Sequence, residues 1–150
     1  MPNSINEFII DGLPMPPSVN NTLTIGRQGR FIPSPEMVLW KSRCRIWLSK
    51  NRAIVTDLRK FVKDYPEPKY VWGLDAIFQF RYNEIFTTSR RSKSFCKRVD
   101  LNNRLKPLCD FVAEMMNLDD SLFFRHVLQK KEGKDSEVSV QIYPIPLFGQ

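Results

Sequence analysis

The sequence predicts an α+β fold, and three observations carry that expectation. Apolar and polar residues alternate over residues 70–82, a period of two that makes a strand with one wet face. Apolar residues recur at three and four in Met37, Trp40, Cys44, Trp47 and Leu48, and again in Leu105, Leu108, Val112 and Met115 or Met116, which is helical spacing. The segments follow the order strand, loop, helix, helix, strand, basic loop, helix, hairpin.

Residues 7–11 (EFIID) read as a short first strand, ended by Pro14, Pro16 and Pro17, which cannot donate to a ladder. From there to Pro33, Gly26, Arg27, Gly29 and Arg30 predict a mobile polar loop. Ser34-Pro35-Glu36 starts a helix with a capping hydroxyl, a proline at the first helical position and an acid near the positive dipole end. A second helix is expected over residues 55–62, stopped before Pro66 and Pro68. Residues 83–98 show no apolar period and read as a polar, basic loop. The next helix runs over about residues 103–116, and Pro107 fits it only in or next to the first turn, where a missing N–H matters least. Residues 122–129 and 137–143 then read as an antiparallel pair joined across Glu132-Gly133-Lys134-Asp135. The expected product is a mixed, mainly antiparallel sheet of about four strands with helices packed on it.

With 150 residues there is room for one ordinary domain, 1–150, and no second core. Hydrophobic residues at 42% and charged residues at 26% exclude wholesale disorder. Twenty-three Lys and Arg against sixteen Asp and Glu give a net charge of +7, which favours an anionic partner, nucleic acid before an anionic membrane. Three cysteines without a CxxC pair point to a reduced, cytoplasmic protein. With His126 as the single histidine, zinc sites of the two-Cys-two-His and three-His kinds are excluded, and the residue itself reads as structural. The first residues lack a basic and then apolar signal pattern, and no apolar run reaches about 18 residues, so neither a signal peptide nor a membrane span is expected.

The charge is concentrated. Arg90, Arg91, Lys93, Lys97, Arg98, Arg104 and Lys106 share their stretch with one acid, Asp100. Phosphate backbones are the natural counter-charge, and each neutralised phosphate makes affinity depend on salt. Asp100-Leu101-Asn102-Asn103 leads into the helix, and Asp119-Asp120 follows it. Acids embedded in positive charge suit an oxygen-ligand Mg²⁺ site beside a phosphate-binding surface. The plainer account is that Asp119 and Asp120 make a turn while Asp100 caps the helix. A helix of that length spans about 20 Å. Asp100 and Asp120 therefore meet only if the chain doubles back at Asn117, or if a strand carrying Asp120 runs beside the one ending at Asp100.

Three segments resemble the RusA family of Holliday junction resolvases, small phage- and prophage-associated endonucleases. They are Leu13-Pro14-Met15-Pro16-Pro17-Ser18-Val19-Asn20-Asn21, then Lys97-Arg98-Val99-Asp100-Leu101-Asn102-Asn103-Arg104-Leu105-Lys106 with Asp110 four residues on, and Leu118-Asp119-Asp120. The resemblance implies a homodimer of mixed α+β fold in a bacterial or phage-infected cell. It implies Mg²⁺ or Mn²⁺ as cofactor and symmetric nicking of four-way or other branched DNA in recombination and repair. Asp100 and Asp120 take the places of metal-binding aspartates, and Lys106 that of the lysine beside the scissile phosphate. Asn103 matches the motif's asparagine, Asp110 matches a helix aspartate of structural role, and the basic residues before Asp100 match a segment that grips DNA.

One position departs from the pattern. The motif reads Asp-x-Asp-Asn, whereas Asn102 stands where the second acidic ligand is expected. An amide oxygen still ligates a hard cation but brings no charge. Three accounts stand: an Asp-to-Asn change that blocks cleavage, a natural protein that keeps branched-DNA binding with weakened or lost catalysis, or another acid, Asp119 or Asp75, supplying the ligand. The alternative function is accordingly a non-catalytic branched-DNA-binding protein.

Overall fold

The computed structural model describes residues 6–18, 23–87 and 95–148. A four-stranded sheet carries helices on one face. Its strands are β1 (Phe8–Pro14), β4 (Tyr70–Phe80), β5 (Phe123–Glu132) and β6 (Glu137–Pro146), in the order β1-β6-β4-β5. The β1–β6 and β6–β4 pairs are antiparallel and β4–β5 is parallel, so the sheet is mixed and mainly antiparallel, as expected.

The expected hairpin is not formed. β4 lies between β5 and β6, and β5 reaches its parallel position only after the chain has crossed over through helix α4 (Asn102–Met116). The short link after β5 passes over the end of β4 instead of folding β6 back on β5. There the Gly133 N–H donates to the Phe80 carbonyl at 2.8 Å, and Gln79 Nε2 donates to the Asp135 carbonyl at 2.9 Å.

β1 is longer than the sequence suggested. Its pairing slips between Ile10 and Leu13, where Gly12 takes φ 71°, a conformation glycine adopts without penalty. The bulge turns both Ile10 and Leu13 into the core before Pro14 ends this edge strand. The stretch read as a mobile loop contains a small hairpin, β2 (Leu23–Ile25) with β3 (Phe31–Pro33). Its Leu23, Ile25 and Phe31 are exposed, so no burial pattern announced it.

Helix α1 (Pro35–Lys50) starts at the expected cap, with Ser34 Oγ accepting the Met37 N–H at 3.2 Å. It buries Trp40 and Cys44, with Met37, Trp47 and Leu48 packed against the same core. Helix α2 (Arg52–Lys63) contributes Leu58. Within the basic stretch, a short helix α3 (Tyr82–Ile85) follows β4, and Phe86 bridges to Cys96. Helix α4 begins one residue earlier than expected, which puts Pro107 in the second turn; the ring supplies no N–H for the Asn103 carbonyl. Leu108, Phe111, Val112, Met115 and Met116 of α4 share one buried core with Trp72, Leu74, Phe78 and Phe80 of β4.

The opposite face of the sheet carries Asp75, whose carboxylate accepts the Tyr143 hydroxyl hydrogen at 2.9 Å. Tyr143 lies across Gly73, where an added Cβ would stand 2.2 Å from its ring. Gly73→Ala is therefore expected to lose about 1–3 kcal/mol as an overpacking change. A lowered thermal midpoint, with the helical circular dichroism of the folded state unchanged, checks it.

Candidate active site

The site is built on the two ends of α4. At its start, Asp100 Oδ1 accepts the Asn102 N–H at 3.0 Å and so satisfies one orphan donor of the helix. At its end, Asn117 adopts the left-handed conformation (φ 58°, ψ 43°), and the Leu118 N–H donates to the Ala113 carbonyl at 2.9 Å. The chain turns back at this point. Asp119 Oδ1 then accepts the Ser121 N–H at 2.8 Å and caps one tight turn, Asp120–Leu122. Both plain capping roles are thus filled, by Asp100 and Asp119.

Asp120 does more. The return brings its Oδ2 to 2.5 Å from Lys106 Nζ, which also lies 2.9 Å from Asp110 Oδ1. Asp120 and then Asp110 hold the Lys106 ammonium well above its ordinary pKa. Lys106, chiefly through the hydrogen bond it donates, holds Asp120 below the usual carboxylate range. Both groups therefore stay ionised at neutral pH. Asp119 is also held low, chiefly by its hydrogen bonds to Ser121.

A second arrangement lies at the helix start, where Ser18, Arg98, Val99, Asp100, Asn103 and Arg104 line one cleft. Lys130 on β5 donates to the Val99 carbonyl at 3.1 Å and anchors the residue next to Asp100. Arg104 is half-buried. Its guanidinium donates to the Pro16 carbonyl at 2.7 Å and lies 5.5 Å over the Phe80 ring, so it clamps the Pro-Pro-Ser segment against α4. The Lys97 ammonium is likewise engaged, donating to the Asn83 carbonyl, whereas Arg98 is exposed.

The structure thus joins Lys106, Asp120 and Asp110 directly and sets Asp100, Asn103 and Arg98 in the cleft at the head of the same helix. Lys106 lies about 6 Å along the axis from Asn102. Asn102 is exposed. Among the described residues no three His, Cys, Asp or Glu side chains form a metal-holding group. Asp75 stands on the face of the sheet opposite α4, which removes it as a substitute ligand. Arg90, Arg91 and Lys93, together with Asn20 and Asn21, lie outside the described residues.

Sequence reasoning missed Lys130, and it quoted Ser18 only within the Pro-Pro-Ser segment, without a place in the site. A lone lysine 31 residues past Val99 carries no local signal, and Ser18 lines the cleft two residues beyond the Pro16 carbonyl that Arg104 holds. His126 is exposed on β5, with Cys109 Sγ 3.9 Å from its Nδ1; burial pushes that thiol's pKa to about 12. No described helix is long and apolar enough to cross a membrane.

A search of the curated proteins finds no match to this chain. A family model described as Endodeoxyribonuclease RusA matches residues 14–143. That match takes in the Pro-Pro-Ser segment, the Asp100–Lys106 block, the returning Asp119-Asp120 pair and most of the sheet, and the chain belongs to the RusA family of endodeoxyribonucleases.

Proposed function

We propose that this chain is a metal-dependent endonuclease that resolves four-way DNA junctions by paired symmetric nicks in recombination and repair, acting as a homodimer. The observation that carries the reading is the Lys106–Asp120 pair, formed across the turn-back at Asn117 beside the cleft that holds Asp100 and Arg98. Two such sites related by a two-fold axis suit a substrate with the same symmetry.

The donor set fits a hard divalent cation in type, since Asp100, Asn102 and Asp120 all offer oxygen. It carries two carboxylate charges where three acids would carry three. Bound Mg²⁺ or Mn²⁺ would supply Lewis-acid polarisation of the phosphate and a water of lowered pKa. Asp100 and Asp120 would hold the ion. Lys106 presents an ammonium to the scissile phosphate, where charge grows as the bond breaks. Arg98 and Asn103 bind and orient the backbone from the cleft, joined by Arg90, Arg91 and Lys93 from the same basic stretch. Arg104 acts through the Pro-Pro-Ser segment that it clamps.

Nicking of a synthetic four-way junction in Mg²⁺ or Mn²⁺, beside duplex and single-stranded controls, tests the assignment. The expected result is junction-selective nicking that Asp120→Asn removes while gel-shift affinity persists, with that affinity falling steeply as salt rises. Asn102 favours one other reading, a branched-DNA-binding protein without cleavage. Tight, junction-selective binding with no nicking in either metal selects it.

A further inference from the structure

Lys106 pairs with two carboxylates, and only one of them belongs to the proposed ligand set. Asp120 arrives from the returning chain. Asp110 lies four residues on along α4, so the helix keeps it within reach of Nζ whatever happens at Asp120. The ammonium bridges both carboxylates at once, and with 65% of the Lys106 side chain exposed, solvent and ions reach the pairs. A divalent ion on the Asp120 carboxylate would meet the ammonium as a like charge.

We propose that Lys106 and the divalent cation compete for Asp120, and that Asp110 is the positioning residue that retains the ammonium when the cation takes Asp120. The ammonium has three N–H bonds, so one on Asp110 leaves two for a phosphate oxygen. Cation affinity then depends on where the lysine rests. Asn102 sharpens the competition, because the ligand set has one charge fewer with which to draw the ion. The proposal rests on the metal-dependent reading above and gives Asp110 a role that capping and packing do not explain.

The test is Mn²⁺ binding by the full chain without DNA, read from the electron paramagnetic resonance signal of free Mn²⁺. Lys106→Met is expected to bind Mn²⁺ about tenfold more tightly, because a cation has left the site. Asp110→Asn is expected to bind several-fold more weakly, because the ammonium then rests on Asp120 alone. The double variant is expected to match Lys106→Met, since Asp110 acts only through the lysine. If Asp110→Asn weakens binding equally with and without the lysine, Asp110 acts by its charge alone and the proposal fails. Lys106→Met binding no more tightly than the unchanged chain also overturns it, while Mn²⁺ binding lost in Asp120→Asn leaves the nuclease reading standing. Absence of Mn²⁺ binding in every form overturns both.

Discussion

Replacing Asn102 with aspartate is expected to raise metal-dependent junction nicking by about 10²–10³-fold. The change adds a full negative charge at the first residue of α4, two positions from Asp100. Unit charges 4 Å apart interact by about 4 kcal/mol at an effective dielectric of 20. Each 1.4 kcal/mol, roughly, is a factor of ten in rate or occupancy. Even a partly screened gain therefore moves cleavage by orders of magnitude. The fold should tolerate the change, because Asn102 is exposed and an acid in a helix's first turn is favoured by about 0.3–1 kcal/mol. Nicking rates at several Mg²⁺ concentrations check it, with thermal unfolding as the control for stability. If Asn102→Asp changes nothing while Asp100→Asn or Asp120→Asn abolishes nicking, the third ligand is not at position 102.

The largest stability effect is expected at Trp40. Its indole Nε1 donates to the Pro14 carbonyl at 3.2 Å, and its ring meets Phe111 edge-on at a centroid distance of 5.9 Å. One side chain thus ties α1 to the end of β1 and to α4. Trp40→Ala removes the hydrogen bond and leaves a large void, a loss of about 3–5 kcal/mol. Single domains are stable by only about 5–15 kcal/mol, so the variant should be close to unfolding at physiological temperature. The midpoint of urea denaturation measures this. Trp40→Phe, which keeps most of the packing and loses the N–H, should recover most of the loss. A Trp40→Ala midpoint within experimental error of the unchanged chain would show that the region relaxes around the void.

The elements legible in the sequence were those whose signal is local. The alternation of β4 is visible because one face meets helices and the other meets Tyr143 and solvent. The start of α1 is visible because Ser34, Pro35 and Glu36 each suit a helix N-terminus. Pairing was not legible. Gly133 looks like a hairpin glycine, yet the link passes over Gln79, whose side chain would stand 2.2 Å from an added Cβ and have to swing away. Nothing near Gly133 records that β4 comes between its neighbours. The site follows the same division. The Asp100–Lys106 block and Asp119-Asp120 stand out in the chain, and Asn117 was the place where a reversal was needed. What that reversal delivers, an aspartate on Lys106, is a long-range contact. So are the anchoring of Val99 by Lys130 and the use of Arg104 as a clamp.

Helix α4 is both the connector that makes β5 parallel to β4 and the bearer of Lys106 and Asp110. Its residues divide into an inner rank that holds the two layers together and an outer rank that meets water. Damage to the inner rank removes the protein itself, whereas the outer rank is free to change without cost to the scaffold. On the proposed nuclease reading, natural variation that retunes the site and its ion has a short strip of one helix in which to work.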